Sequence, residues 1–477
     1  EVLFFCFGRW RDTMRWTALG SAAFAAGLGA YGLVKLIRDD ERVMKTVDVY
    51  VMLQLNAAEI PIDQLCKQMK QLKDVGVKGV MMDFWWSRVE KEPGYYDWSD
   101  YEKIVLLAKE LGLRMQCVMA FHTCGEADGD NFVVKLPHWV VEAAKRTPGV
   151  FYEDEFGVKS EEYISIGSDL ERILPGRSLV KRTPIEAYSG FFKDFKRHFK
   201  SYLGSTITEV QVGLGPCGEL RYPGYAVSKW TFPGIGAFQC YDPFLLGDYQ
   251  RYARQKGIEN TVPPAKGTCG SYDSTPEETE FFKTDGLYST TEGRIFLEWY
   301  FSRLAEHGDR LLEAARTVFG PEITLSCKVA GVHWCYNTAS RAAEATSGYY
   351  HANGFDCYGK LSAMLKKHNA TFLFTCMEKK DKDEPSEGRC SPQSLVRETA
   401  RSASLNGVKY GGENALEFKK WSFYRQIVKT AAQCQTLYPD LDYECLTLLR
   451  LDETLMKSSH INHLEQFIKR MTMSESG

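Results

Sequence analysis

Several acidic and basic side chains in this sequence of 477 residues stand at, or shortly after, the end of a short apolar segment. Asp83, Glu219 and Glu413 are among the acids, and two carboxyl groups facing one bond can act as acid and base in glycoside hydrolysis. Lysine, histidine and tryptophan residues occupy similar positions. Taken singly, each is more often a solvated side chain, a helix cap or part of the core. Together they provide what sugar chemistry requires, namely carboxyl groups, polar groups for hydroxyls, and rings that stack on pyranose faces.

The segments that would position these side chains alternate between apolar runs and amphipathic stretches from residue 47 onward. Because strand–helix repetition implies a parallel sheet, and the repetition continues over more than 350 residues, a closed barrel is favoured over a dinucleotide-binding fold. The predicted fold class is α/β, a (β/α)8 TIM barrel with long loops, including loops at 260–290 and 379–391. Its active site would lie at the carboxyl ends of the strands. Apolar periodicity predicts strands at 47–55, 79–85, 114–121, 208–213, 323–329 and 372–376, and helices at 61–74 and 98–111.

Composition excludes some classes of function and of site. The net charge is −3 with acids and bases mixed along the chain, which argues against a nucleic-acid-binding surface. The 14 cysteines form no Cys-x-x-Cys pair. We therefore expect free, mostly buried thiols in a reducing compartment, and neither a disulfide framework nor a structural zinc site.

The amino-terminal segment 16–34 contains no charged residue and is flanked by basic residues on both sides. A helix over this segment would be about 28 Å long, close to the hydrocarbon thickness of a bilayer. This predicts a transmembrane helix within an extension, residues 1–45, that precedes the barrel at 46–477. The apolar region of a cleavable signal or a transit peptide is the competing interpretation.

The same segment motivates an expectation about location and partners. Ser21, Ala25 and Gly29 fall four residues apart and would form a smooth face for close helix packing. We therefore expect protein partners in a membrane complex. An organelle membrane is predicted, with the mitochondrial inner membrane ahead of a plastid membrane and the barrel facing a reducing compartment.

Two segments carry a specific resemblance. Gly-Pro-Cys-Gly-Glu-Leu-Arg-Tyr-Pro at 215–223 is similar to the β-amylase signature around the general acid, and Gly-Glu-Asn-Ala-Leu at 412–416 resembles the segment with the general base. Further blocks that resemble the family lie, in order, at 49–53, 121–125, 232–236, 238–242, 374–378 and 449–451. Together they span residues 47–471, so chance agreement is very improbable.

The resemblance implies a function and a set of site residues. The enzyme would release β-maltose from the non-reducing ends of starch-like α-1,4-glucans by inversion, with no metal or organic cofactor. Glu219 matches the proton donor and Glu413 the base that activates water; inversion requires the two carboxyl groups to lie roughly 6.5–9.5 Å apart. Asp130 lies on the family's flexible lid and Thr375 on its inner loop. The positions that match glucan-binding residues are Asp83, His122, Asp130, Lys328, His333, Thr375, Asn414, Ala415 and Arg450.

The sequence also departs from the family pattern at the lid. The family usually has Gly-Gly-Asn-Val-Gly-Asp there, whereas residues 125–130 read Gly-Glu-Ala-Asp-Gly-Asp. An alternative function therefore stays open at this point. In that alternative the chain is a structural subunit of a membrane complex, with an amylase fold and little or no activity.

Overall fold

The computed structural model describes residues 43–125, 132–226, 228–415 and 420–472. Residues 43–477 form one compact unit. The predicted membrane helix at 16–34 lies outside the described residues, so its structure is not addressed. Within the described ranges, no helix combines the length and the apolar character needed to cross a membrane.

Eight parallel strands close into a barrel in which each strand pairs with its neighbours in the chain. The first and last strands complete the ring, with Asp48 opposite Cys445 and Val51 opposite Leu448. The predicted (β/α)8 fold is therefore confirmed for the barrel. The barrel strands are β1 (Asp48–Met52), β2 (Gly79–Trp85), β3 (Arg114–Ala120), β4 (Ile207–Val212), β5 (Thr324–Val329), β6 (Ala370–Phe374), β7 (Tyr410–Glu413) and β8 (Tyr443–Leu448).

Helices surround the barrel and bury their apolar faces against the strands. Several begin at side-chain caps: Asp242 accepts the backbone N–H groups of Phe244 and Leu245, and Thr183 forms a capping box with Glu186. The helices are α1 (Ile62–Asp74), α2 (Trp86–Val89), α3 (Ser99–Leu111), α4 (His138–Arg146), α5 (Pro184–His198), α6 (Pro243–Gln255), α7 (Thr291–Phe319), α8 (Ala342–Thr346), α9 (Cys357–Lys367), α10 (Pro392–Asn406), α11 (Trp421–Leu437) and α12 (Ser458–Met471).

Strand β2 shows how the barrel separates its two faces. All seven of its residues are buried, as expected for a parallel strand covered on both sides. Side chains alternate between the faces, so Phe84 packs in the main core between strands and helices, whereas Asp83 and Trp85 point into the barrel mouth. The strand therefore delivers a carboxyl group and an indole ring to the same opening.

The two predicted loops differ from simple surface loops. Residues 260–290 lack regular strands and helices apart from short 3-10 turns, yet Cys269, Phe281 and Phe282 are buried. Phe281 and Phe282 pack on Phe238 with ring centroids 5.8 and 5.7 Å away. The segment at 379–391 has two 3-10 turns, and it brings Glu384 toward the carboxyl ends of the strands.

The cysteines of the described residues are all free thiols, as the sequence predicts. Ten are buried, and Cys66, Cys217 and Cys390 are partly exposed. These three are the thiols accessible to reagents or ions in the part of the chain that the structure describes.

Candidate active site

A cavity of about 480 Å³ opens at the carboxyl ends of the barrel strands. Both predicted catalytic residues line it. Of the nine predicted glucan-binding residues, Asp130 lies outside the described residues, and the other eight line the same cavity. Those eight are Asp83, His122, Lys328, His333, Thr375, Asn414, Ala415 and Arg450.

Glu219 follows strand β4 through a tight 3-10 turn, Pro216–Gly218, in which Cys217 has a positive φ of 54°. Its backbone then forms an isolated parallel bridge with Lys328 on β5. Arg221 Nε donates a hydrogen bond of 2.6 Å to Glu219 Oε2, and its guanidinium group lies 4.3 Å from the centre of the Tyr225 ring. These contacts orient the Glu219 carboxyl group at the cavity wall.

Glu413 is the last residue of β7 and is fully buried. Burial raises the pKa of its carboxyl group; Lys328 opposes that rise and the charge of Glu219 adds to it. Lys328 Nζ lies 3.4 Å from Glu413 Oε2, but neither carboxyl oxygen accepts a well-formed hydrogen bond from the described residues. The carboxyl group is thus held beside a cation with its acceptor capacity still available.

Lys328 and His122, which both line the cavity, are held in different charge states by their surroundings. Burial works against the charge of Lys328, yet Glu413 and Glu219 raise the pKa of its ammonium group above the usual range. Burial, followed by the charges of Lys328, Arg221 and Arg450, lowers the pKa of His122 to about 3. His122 is therefore neutral across the physiological range, and its Nδ1 has no hydrogen-bond partner among the described residues.

Hydrogen bonds between side chains and backbone groups join the loops that follow β6, β7 and β8. The Asn414 side chain donates to Leu449 O and accepts from Leu449 N, both at 2.8 Å, which places the neighbouring Arg450. The Glu378 carboxylate accepts the backbone N–H of Ala415 at 3.0 and 3.1 Å. The segment that carries Glu413 is thus fixed from both sides.

Thr375, which follows β6, hydrogen-bonds the loop that follows β5. Its Oγ1 accepts the backbone N–H of Gly331 at 2.7 Å, and Gly331 O lies 2.8 Å from Nδ1 of His333. The other ring nitrogen of His333 lies 3.2 Å from Glu384 Oε2. The side chains of Thr375 and His333 therefore both contact the backbone of the same residue, Gly331.

Sequence reasoning missed several residues of this site, namely Arg221, Tyr225, Trp334, Glu378 and Glu384. Arg221 and Glu378 fall inside segments that resemble the family, so their place in the pattern was a usable signal. Trp334 lies edge-on to Tyr225 with centroids 5.1 Å apart, and both line the cavity. Only the fold reveals this aromatic wall, because the two rings come from different loops.

Relatives of known name cover most of the chain. It is 38% identical over 446 residues to β-amylase 2, chloroplastic, of Oryza sativa subsp. japonica, a match that covers 91% of this chain and 79% of the rice protein. It is 40% identical over 415 residues to β-amylase 1, chloroplastic, of Arabidopsis thaliana, covering 84% and 71% of the two chains.

These names contradict the predicted location. Both relatives are named as chloroplastic, so the expected mitochondrial inner membrane is wrong. The basic flanks and the apolar stretch that motivated the prediction do not distinguish one organelle from another. The comparisons also give no support to the alternative of a structural subunit in a membrane complex, since the relatives are named as enzymes.

Fold and family agree with these relatives. The catalytic domain of β-amylase from Paenibacillus polymyxa superposes with a TM-score of 0.73 at 27% identity, covering 89% of this chain and 98% of the bacterial chain. The sequence profile of Glycosyl hydrolase family 14 matches residues 50–477. The chain is therefore an enzyme that belongs to glycosyl hydrolase family 14.

Proposed function

We propose that this enzyme hydrolyses α-1,4-glucosidic bonds at the non-reducing ends of starch-like glucans and releases β-maltose. One observation carries the proposal. Glu219 and Glu413, which follow or end strands three positions apart around the barrel, line one cavity together with eight of the residues expected to bind glucan. The names of the relatives, which are β-amylases, support the same substrate class.

In the proposed mechanism Glu413 is the general base. A buried carboxylate with a raised pKa is a stronger base than an exposed one, and the adjacent Lys328 keeps it ionised. Its unused acceptor capacity suits it to hold the water that attacks the anomeric carbon. Inversion follows if that water approaches from the face opposite the leaving oxygen.

Glu219 is the proposed general acid. Its side chain is 12% exposed and reaches the cavity, and Arg221 hydrogen-bonds one carboxyl oxygen. The charge of Glu219 contributes to the raised pKa of Glu413, so the two carboxyl groups interact electrostatically. Glucan entering the cavity displaces water and presents the glycosidic oxygen to the protonated carboxyl group.

The remaining wall is proposed to bind the terminal glucose units. Neutral His122 and the carboxyl group of Asp83 offer partners for sugar hydroxyls, and Arg450 supplies donors from the β8 loop. Trp334 and Tyr225 offer rings on which a pyranose face can stack. Asp130, which lies outside the described residues, is proposed as a further contact on the lid.

We further propose that residues 46–477 form the catalytic unit and residues 1–45 an extension of it. The family profile begins at residue 50, and the compact unit begins at residue 43, which supports a boundary in this region.

The function is tested with the purified chain and a linear maltooligosaccharide. We expect maltose as the sole early product, formed as the β-anomer when the reaction is followed by proton NMR. A substrate blocked at its non-reducing end should resist hydrolysis. Release of α-maltose, of glucose, or of mixed internal fragments would contradict the proposal.

A further inference from the structure

Beside the cavity, three side chains of different chemistry converge. His333, Glu384 and Cys390 each present one ligand atom, and these atoms lie within 4.8 Å of one another. His333 lines the cavity, and Glu384 and Cys390 come from the segment between β6 and α10. None of the three is needed as an acid or base in the proposed hydrolysis, so their convergence has no explanation there.

The imidazole of His333 is oriented as a metal ligand would be. Its Nδ1 lies 2.8 Å from Gly331 O, which is a suitable acceptor for an N–H at this nitrogen. An N–H at Nδ1 makes Nε2 the nitrogen that would coordinate an ion in exchange for its proton, and Nε2 lies 3.2 Å from Glu384 Oε2, within hydrogen-bond distance. Metal-binding histidines usually donate their second ring nitrogen to a carbonyl or carboxylate in this way.

The other two side chains are also held. Glu384 Oε1 pairs with Lys379 Nζ at 2.9 Å, so the carboxylate presents Oε2 to the cluster. The backbone N–H of Ser391, next to Cys390, donates to His333 O at 3.1 Å and ties the two loops together. The Cys390 thiol sits over Gly388, where any side chain would approach its Sγ to 2.7 Å.

We propose that His333, Glu384 and Cys390 bind one Zn²⁺ ion at the edge of the glucan cavity. A nitrogen, an oxygen and a sulfur ligand form a set that Zn²⁺ accepts in tetrahedral geometry. Bond lengths of about 2.0–2.3 Å place tetrahedral ligand atoms roughly 3.3–3.8 Å apart, so the cluster needs only a modest contraction. With three protein ligands, the fourth position stays open to water.

Zn²⁺ at this site would inhibit the enzyme, a consequence that rests on the proposed function. The ion would occupy Nε2 of His333, which is one of the expected glucan-binding groups. Coordination by Glu384 and Cys390 would also move the segment at 384–390 closer to His333 beside the cavity. Glucan binding and Zn²⁺ binding would therefore oppose each other, with Zn²⁺ reducing maltose release.

The test uses Cd²⁺ as a spectroscopic probe and Zn²⁺ as the inhibitor, with the full chain. Cd²⁺ bound to a thiolate adds an ultraviolet charge-transfer band. We expect one equivalent of Cd²⁺ per chain to produce this band, and Cys390→Ser to abolish it. Cys66→Ser is the matched control, since Cys66 is also partly exposed but lies on α1 away from the cavity. Glu384→Gln serves as a second variant that keeps the thiol.

Zn²⁺ affinity, measured by calorimetry, should fall at least about tenfold in Cys390→Ser and in Glu384→Gln, and inhibition of maltose release should weaken in parallel. Equal Cd²⁺ bands and equal Zn²⁺ affinity in the wild-type chain and both variants would overturn the proposal. Cd²⁺ binding is read without substrate, so a failure of glucan hydrolysis would count against the proposed function and leave this result interpretable.

Discussion

Glu219 and Glu413 share one cavity but differ in their nearest partners. Arg221 donates a charge-assisted hydrogen bond to Glu219, whereas Lys328 Nζ lies 3.4 Å from a Glu413 carboxylate that accepts no well-formed hydrogen bond from the described residues. Separate roles for two carboxyl groups normally arise from such unequal surroundings. The asymmetry favours Glu413 as the acceptor of a proton from water, because that carboxylate has acceptor capacity to spare.

The first prediction concerns this pair. Glu219→Gln and Glu413→Gln keep the side-chain volume but remove the acid or the base, so each should lower the rate of maltose release by about 10³-fold or more. The rate is measured on a maltooligosaccharide, with thermal unfolding as the control for folding. Near-normal release by either folded variant would contradict the assigned role.

The second prediction concerns Cys217, which lies two residues before Glu219 and is partly exposed at the cavity wall. Alkylation there should abolish activity by filling the cavity, and not by removing a nucleophile. Cys217→Ala should therefore remain active and become insensitive to iodoacetamide, and soluble glucan should protect the wild-type chain. The measurement is the rate of inactivation.

Cys124 provides the comparison for that experiment, because it also lines the cavity but is buried. Cys124→Ala should inactivate at a rate close to that of the wild-type chain. If a variant with both substitutions is still inactivated at the wild-type rate, the thiol interpretation is wrong.

At this scale the sequence predicted more than it missed. The two catalytic and nine glucan-binding residues were expected at the site, and all of them except Asp130, which lies outside the described residues, line the cavity. Arg221 was missed because a charged residue next to an acid reads as ordinary solvation. Trp334 was missed because its partner Tyr225 is more than a hundred residues away in the chain, and no local spacing joins them.

At the scale of elements, the site depends on how the loops after β6, β7 and β8 are joined. Glu378, which follows β6, accepts the backbone N–H of Ala415, which follows β7. Asn414 in turn bonds both backbone groups of Leu449, which follows β8. Three adjacent strand ends are thereby linked by side chain–backbone hydrogen bonds, so the position of Glu413 depends on Glu378.

The third prediction tests this link. Glu378→Ala leaves the Ala415 N–H without its acceptor, which should cost about 1–3 kcal/mol of stability and lower kcat by about tenfold or more. Glu378→Gln keeps one acceptor oxygen and should lie between Ala and the wild-type chain. Urea unfolding and steady-state kinetics measure both effects. A loss of stability in Glu378→Ala with unchanged kcat would show that the link is structural only.

The elements themselves were predicted unevenly. Apolar periodicity placed strand β2 at its observed bounds and the other predicted strands within a few residues of theirs. Strand β7 was not predicted, because Tyr410–Glu413 is four residues long and contains two glycines, so it shows no apolar run. The segment at 260–290 was predicted to be a loop because of its many glycines and prolines. That composition gave no indication that Phe281 and Phe282 would be buried.

At the scale of the whole molecule, the barrel interior holds a polar layer beneath the site. Glu209 on β4 accepts hydrogen bonds from Gln116 on β3 at 2.8 Å and from Ser326 on β5 at 2.5 Å. Thr447 on β8 donates to the other end of the Gln116 amide at 2.7 Å. Four strands of the ring therefore contribute to one hydrogen-bonded network around a buried carboxyl group, and we expect the barrel's stability to depend on the protonation of that group.

The last prediction follows from that carboxyl group. Burial raises the pKa of Glu209 from 4.5 to about 7, although Ser326 and Gln116 oppose the rise. The folded protein then binds more protons than the unfolded chain between these values. Stability should accordingly fall as the pH rises from about 4.5 to about 7, by an amount on the order of 3 kcal/mol.

Glu209→Gln removes this titration, and its amide can still accept from Gln116 and donate to the Ser326 hydroxyl. We expect its free energy of unfolding to be close to that of the wild-type chain at pH 4.5 and higher at pH 8. Glu110→Gln, which makes the same chemical change on the exposed side of α3, is the matched control. Urea unfolding at the two pH values makes the comparison. If the two variants show the same pH dependence relative to the wild-type chain, Glu209 is ionised in the barrel at no cost, and its hydrogen bonds from Ser326 and Gln116 offset its burial in full.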